Sequence, residues 1–271
     1  MKIFTMKKTA IILTAIIATI ALNTNAQVSQ ERQVGDFSGI HQSTFADVYI
    51  TAGDRTTVLV KADEDVIDRL ITEVDNGILK IRSEGNMRNV KIFEVHITMK
   101  RIELIKNSGS GNIICKGGLP GNDVKITING SGDLDANLQA KNLELSISGS
   151  GDVDLTGVRG DFDLSVSGSG DVEAEELQLE NCKISIQGSG DVKLKGATAN
   201  LIARQNGSGD VNAYALKAVD VEVKNSGSGD IVVQAVNSLS AMLNGSGDLT
   251  YHGAAEKVNV VSNGSGEIYR K

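Results

Sequence analysis

Apolar and polar residues alternate with a period of two over most of the chain, and the alternation is punctuated by one recurring tetrapeptide. Gly-Ser-Gly followed by an acid or Asn occurs nine times, ending at Asn112, Asp133, Asp152, Asp171, Asp191, Asp210, Asp230, Asp248 and Glu267. The spacings are 21, 19, 19, 20, 19, 20, 18 and 19 residues. Aligned on that last residue, the next position is aliphatic in every copy: Ile113, Leu134, Val153, Val172, Val192, Val211, Ile231, Leu249 and Ile268. Two positions further stand Cys115, Ala136, Leu155, Ala174, Leu194, Ala213, Val233, Tyr251 and Arg270, with mostly polar residues between. Such alternation predicts a strand with one buried face.

A second strand precedes each glycine pair, as in Val124/Ile126/Ile128, Leu143/Leu145/Ile147, Phe162/Leu164/Val166 and Cys182/Ile184/Ile186. Later copies replace its last aliphatic residue by Gln205, Asn225 and Ser262. A weaker apolar position falls six after the acid, at Val158, Leu177, Leu216 and Val236. Three short inward-facing stretches per repeat, too few residues for a propeller blade of about 40, predict a solenoid in which each repeat is one coil. The expected fold is all-β, a single-stranded right-handed parallel β-helix of about 19-residue coils with an N-terminal β-rich cap. Nine coils at the ~4.8 Å strand spacing would make a rod of roughly 40 Å. The glycines are expected to supply positive φ or other conformations closed to side chains bearing a Cβ. The column before them (Ser108, Asn129, Ser148, Ser167, Gln187, Asn206, Ser226, Asn244, Asn263) is expected to form polar ladders along the rod.

Residues 27–106 lack the tetrapeptide but still read mainly as strand, at 47–50, 58–60, 78–81 and 90–99. Asn76-Gly77 predicts a two-residue hairpin turn, and Ala62 to Leu70 suits one short helix. This segment is either a cap over the first coil or a set of irregular early coils. The expected organisation is thus 1–26, 27–106 and 107–271, with 33–271 one continuous structural domain.

The first 26 residues change the charge. Lys7 and Lys8, the apolar run Ala10 to Leu22 and the small residues up to Ala26 predict a signal peptide cleaved before Gln27. The run is short for a membrane span, and no Cys stands at the cleavage point to carry a lipid anchor. The chain has 27 Lys+Arg and 34 Asp+Glu; losing Lys2, Lys7 and Lys8 leaves 24 − 34 = −10. An exported protein of that charge is a poor partner for nucleic acid or anionic lipid. Its expected location is the periplasm, the cell surface or the medium.

Candidate chemistry is sparse. Stacked coils would set Asp133, Asp152, Asp171, Asp191, Asp210, Asp230 and Asp248 in a row about 4.8 Å apart. Such carboxylates either accept backbone N–H bonds in the turns or hold cations such as calcium between them. Turn capping is the plainer expectation, and the nine-residue period of calcium-binding toxin repeats is not the period here. A β-helix enzyme cleaving acidic polysaccharides is an alternative, but catalysis needs one place unlike the rest, and these acids recur once per coil. His41, His96 and His252 are scattered, and the repeated serines have no His at a matching place, so neither a metal set nor a nucleophilic triad is indicated. Cys115 and Cys182 fall at different phases more than three coils apart, about 15 Å along the axis, beyond disulfide reach. An amyloid-type extracellular subunit is a third class, disfavoured by the charge of −10 and the lack of Gln columns.

Phe37-Ser38-Gly39-Ile40, then Ala46-Asp47-Val48-Tyr49-Ile50 with Gly53-Asp54, then Thr72 to Ile81, then the recurrent Ser-Gly-Ser-Gly-Asp, together resemble the auto-transporter adhesin, head GIN domain family. The resemblance covers the chain from about residue 33 onward. It implies an exported bacterial β-solenoid on or near the cell envelope; the sequence does not name a partner, and an envelope glycan or a surface protein is the candidate class. The repeats run nearly to Lys271, leaving no room in this sequence for a membrane β-barrel translocator. The combined expectation is an exported, non-enzymatic, adhesin-like binding protein, with no resident cofactor and calcium as the one open candidate.

Overall fold

A coil of about 19 residues cannot bury an apolar stripe against itself, so it must stack on a neighbour. The computed structural model describes residues 27–85, 87 and 89–271; the signal-peptide reading falls on residues 1–26, outside the described residues. Among the described residues, nineteen strands join one continuous hydrogen-bonded sheet wound into a solenoid. The coils with the tetrapeptide comprise β9 (Ile113–Ile128), β10 (Leu134–Ile147), β11 (Val153–Val158), β12 (Asp161–Val166), β13 (Val172–Ile186), β14 (Val192–Gln205), β15 (Val211–Asn225), β16 (Ile231–Leu243), β17 (Leu249–His252), β18 (Lys257–Ser262) and β19 (Ile268–Arg270).

Every coil pairs in parallel with the next at the same phase. Leu134, Val153, Val172, Val192, Val211, Ile231, Leu249 and Ile268 are successive partners in one column. A second column runs Ile126, Leu145, Leu164, Ile184, Ala203, Val223, Ala241 and Val260. All but the last member of each are buried. Each large aliphatic chain removed from water in this way contributes roughly 1.5–3 kcal/mol. The third column is less regular. Val158, Leu177 and Leu216 are buried as expected, but in the shorter coil near residue 235 the buried residue is Ala235, and Val236 is half-exposed.

The N-terminal segment enters the same ladder. β2 (Gly39–Gln42) and β3 (Asp47–Ala52) form a further coil: β2 pairs in parallel with β8 (Leu104–Asn107), and β3 with β9. Thr44-Phe45-Ala46 stands where later coils have Gly-Ser-Gly, and Asp47 takes the acid position. Beyond this coil, β6 (Ile78–Ser83) and β7 (Phe93–Met99) continue the two faces in parallel. Then the direction reverses. β5 (Leu70–Asp75) is antiparallel to β6, β4 (Thr57–Asp63) to β7, and β1 (Gln27–Glu31) to β4.

The Asn76-Gly77 hairpin forms as expected, with both residues left-handed (φ 51° and 74°). The short helix expected over Ala62 to Leu70 does not. Ala62 and Asp63 finish β4, with Ala62 opposite Phe93, and only a single 3-10 turn, Ile67–Arg69, follows. Six residues pinned between two paired strands leave no length for an α-helix. Among the described residues no helix is long and apolar enough to cross a membrane.

Candidate functional site

The turn glycines work differently from expectation. None in the tetrapeptides has φ in the left-handed range. They are needed because coils touch backbone to backbone there: a Cβ on Gly170 would lie 2.1 Å from the carbonyl oxygen of Gly151. With side chains excluded, each turn bonds directly to the one before. Ser169 N–H, for example, donates to Gly149 O at 3.0 Å.

That close stacking aligns the acid row. Asp171 N–H donates to Asp152 Oδ1 at 2.8 Å, Asp191 N–H to Asp171 Oδ1 at 2.8 Å, and Asp210 N–H to Asp191 Oδ1 at 2.7 Å. The same link joins Asp133 to Asp152, Asp210 to Asp230, Asp230 to Asp248 and Asp248 to Glu267. It extends the other way through Asn112 to Asp47, a member that the tetrapeptide pattern does not contain. The residue after each acid closes the rung, as where Val153 N–H donates to Asp171 O at 2.9 Å. All seven aspartates singled out in the sequence therefore lie in one row, each with one oxygen committed to the next coil. Among the described residues no three His, Cys, Asp or Glu side chains converge to hold a metal ion.

The row is one wall of a shallow groove of about 570 Å³. Asp152, Asp171, Asp191, Asp210 and Asp230 form this wall; Asp154, Glu173, Lys193, Asn212 and Val232 form the other. The floor is the backbone of the inward-pointing Val153, Val172, Val192 and Val211. Asp154 has its carboxyl pKa raised, first by burial and then by the negative charges of Glu173, Asp135, Asp152 and Asp133. Glu173 is instead held down at about 2 by hydrogen bonds from Lys193 and Lys195. Lys195 also bonds Glu175, so two lysines and two glutamates form one exposed network.

A second polar ladder was not anticipated. Ten residues before each acid stand Asp123, Asn142, Asp161, Asn181, Asn200 and Asp220. Asn142 Nδ2 donates to Asp123 Oδ1 (2.7 Å), Asn181 Nδ2 to Asp161 Oδ1 (2.8 Å) and Asn200 Nδ2 to Asn181 Oδ1 (2.9 Å). The expected Asn/Ser ladder before the glycines is only intermittent, with rungs such as Ser148 to Asn129 and Asn263 to Asn244.

The polar departures at Gln205, Asn225 and Ser262, where the aliphatic pattern breaks, serve the turns. Gln205 and Asn225 are fully buried. Asn225 Nδ2 donates to Gly229 O (2.8 Å) and its Oδ1 accepts from Gly227 N–H (3.0 Å). Gln205 bonds Gly209 O, and Ser262 Oγ donates to Gly266 O at 2.8 Å. Gln42 and Asn107 do the same in the early coils, bonding Ala46 O and Gly111 O.

Cys115 and Cys182 are both buried and unpaired. The histidines are dispersed: His96 stacks on Tyr49 and bonds Glu94, His252 meets the edge of Tyr214, and His41 contacts Ser108.

A stack of parallel coils tied by polar ladders defines a β-solenoid of about nine turns. The chain belongs to the family described as "Putative auto-transporter adhesin, head GIN domain", whose model matches residues 36–195 and 183–255. Similar solved structures carry the same fold. A putative lipid binding protein from Parabacteroides distasonis is 24% identical with a TM-score of 0.67, covering 92% of this chain and 98% of that one. A putative adhesin from the same species is 22% identical (TM-score 0.67, 91% and 98% covered). A putative adhesin from Parabacteroides merdae is 19% identical (TM-score 0.66, 90% and 96% covered). No curated protein matches the chain.

Proposed function

We propose that the protein is exported and acts by adhesion, holding its partner along the grooved face that carries the acid row, without performing chemistry on it. The observation that carries this reading is the fate of the acids. Each is spent as a rung between coils, so the groove repeats the same geometry along its length and offers an extended surface rather than one reacting position. Membership of the adhesin family supports it, and the Lys7-Lys8 and apolar run of residues 1–26 supports export. A lipid partner would call for an apolar cavity, whereas the described interior is filled by stacked aliphatic columns.

Two measurements test the reading. Mass spectrometry of the protein from fractionated cells should find it outside the cytoplasm with Gln27 as its first residue; an intact cytoplasmic chain sinks the export claim. Beads coated with the full chain should adhere to bacterial or host cell surfaces, and the double charge reversal Asp154→Lys/Glu173→Lys should abolish adherence without loss of fold. Undiminished adherence of that variant would place binding elsewhere. Release of new reducing ends from uronate-rich polysaccharide would instead establish the enzymatic alternative.

A further inference from the structure

We infer that the C-terminal part of the grooved face is a stacking subsite for a linear glycan free of acidic groups, with Tyr214 as its platform. This rests on the adhesive reading above and adds the ligand class. The first observation is where apolar surface is exposed. Seven large apolar side chains are exposed among the described residues, and six of them (Tyr214, Val219, Met242, Val258, Val261 and Tyr269) lie in the last coils. Of these, Tyr214 follows two residues after the groove-lining Asn212, and Tyr269 continues the column of the groove-lining Val232 through Thr250, whereas Met242 and Val261 pair on the other strand of the coil.

The second observation is how Tyr214 is held. Successive coils pair residue for residue until Ala213 meets Val233; the next pair is Lys217 with Gln234, so Tyr214, Ala215 and Leu216 form a bulge. A bulge re-aims a side chain. Leu216 turns into the core, whereas Tyr214 stays 53% exposed. Its N–H donates to Asn212 Oδ1 at 3.3 Å, and its ring meets His252 edge-on at 4.6 Å between centroids. His252 lies on the second strand beyond, past Gln234. The ring is thus fixed in orientation while a large part of it faces solvent.

The third observation is the surrounding chemistry. Asn212 and Val232 line the end of the groove; Thr250, paired with Val232, and Gln234, paired with the His252 that meets the ring, are half-buried. A pyranose has an apolar C–H face and a rim of hydroxyls. A rigid aromatic takes the face, and neutral carboxamides and hydroxyls take the rim. A groove lined by six aspartates and one glutamate against one lysine repels a polymer bearing carboxylates or sulfates. Coils recur every ~4.8 Å, close to the length of one sugar unit in an extended chain, so a linear glycan can meet the same rim donors and acceptors coil after coil.

Isothermal titration of the full chain with hexaoses of β-linked glucose, mannose and N-acetylglucosamine, and with a galacturonate hexamer, tests the inference. At least one neutral hexaose should bind, and the galacturonate hexamer should bind about ten-fold more weakly or not at all. Tyr214→Ala should weaken binding about ten-fold, the worth of a stacked ring, with an unchanged melting temperature, while Tyr214→Phe should retain it. If no neutral hexaose binds although coated beads still adhere, the ligand class is wrong and the adhesive reading stands; a protein partner on the same face would give this result. If a neutral hexaose binds equally to Tyr214→Ala, the subsite is wrong. If neither beads nor hexaoses show binding, both readings fall.

Discussion

Replacing Gly168 by alanine puts the close approach of the coils to a direct test. The added Cβ would sit 1.9 Å from Gly149 O and 2.8 Å from the carbonyl carbon of Ser148, all backbone. Ordinary contact begins near 3.4 Å, so the two turns must part by about 3.4 − 1.9 = 1.5 Å. Ser169 N–H donates to Gly149 O at 3.0 Å and Ser167 N–H to Ile147 O at 2.8 Å. Parting by that much takes both beyond hydrogen-bonding range. Two lost bonds at about 0.5–1.5 kcal/mol each, with about 1–3 kcal/mol for overpacking, give a loss of about 2–6 kcal/mol. Two further substitutions separate this from generic effects of glycine. Gly77→Ala meets nothing within 4 Å but sits at φ +74°, so only the left-handed strain of about 1–2 kcal/mol applies. Gly35→Ala also meets nothing and has no left-handed φ; it should be close to neutral. Urea unfolding of the full chain followed by circular dichroism should order the midpoints Gly35→Ala, Gly77→Ala, Gly168→Ala from highest to lowest. A Gly168→Ala midpoint at or above that of Gly77→Ala would refute the close-approach argument.

Glu173 is held down at about 2 against an ordinary 4.5, so its stabilisation is present above the ordinary value and lost as pH falls from about 4.5 to 2. Urea midpoints of Glu173→Gln should therefore be flatter than wild type across that window, and identical slopes would contradict the ion-pair assignment. Asp154 shifts the other way, so its charged form opposes folding; Asp154→Asn should raise the midpoint at pH 7 and leave it unchanged at pH 2, and no gain at pH 7 would count against the assignment. Burial pushes both cysteine thiols up to about 12; a thiol reagent at pH 8 should label neither in the native protein and both in denaturant, with rapid native labelling as the contrary result. Asn225→Ala strips a buried turn of two partners and should cost about 2–4 kcal/mol by chemical denaturation, whereas a loss under 1 kcal/mol would mean water replaces the amide. Calcium needs six to eight oxygens, and each aspartate in the row has one oxygen committed to a rung; millimolar calcium added to demetallated protein should leave the melting temperature unmoved, and a rise would show that the row binds cations.

Much of the architecture is legible because each column repeats one chemical demand. The nine aliphatic residues after the acids and the buried strand before the glycines fix the coil length and the inward face. What escaped notice did so for local reasons. Asp47 is in the acid row, but its turn is Thr44-Phe45-Ala46, so alignment on the tetrapeptide hides it. The column from Asp123 to Asp220 is plain once the same alignment is carried ten residues back; its polar members carry no hydrophobic signal to mark them. Gln205 and Asn225 look like breaks in a rule when only hydrophobicity is counted, yet their side chains bond the turn groups. The Tyr214 bulge has no signature in composition. It arises because Leu216 must reach the core and the chain between it and Ala213 is too long for the pairing strand.

The parallel ladders run between coils, so the backbone bonds lie along the axis of the rod rather than across it. A load applied to the two ends of the described solenoid would therefore meet one coil interface at a time, not all of them at once. Each interface that opens would release about 19 residues, roughly 65 Å of extended chain, in place of a rise of about 4.8 Å. Under drag such a rod would lengthen in even steps and dissipate work at each, so a tether built this way yields gradually and can wind back when the flow slackens.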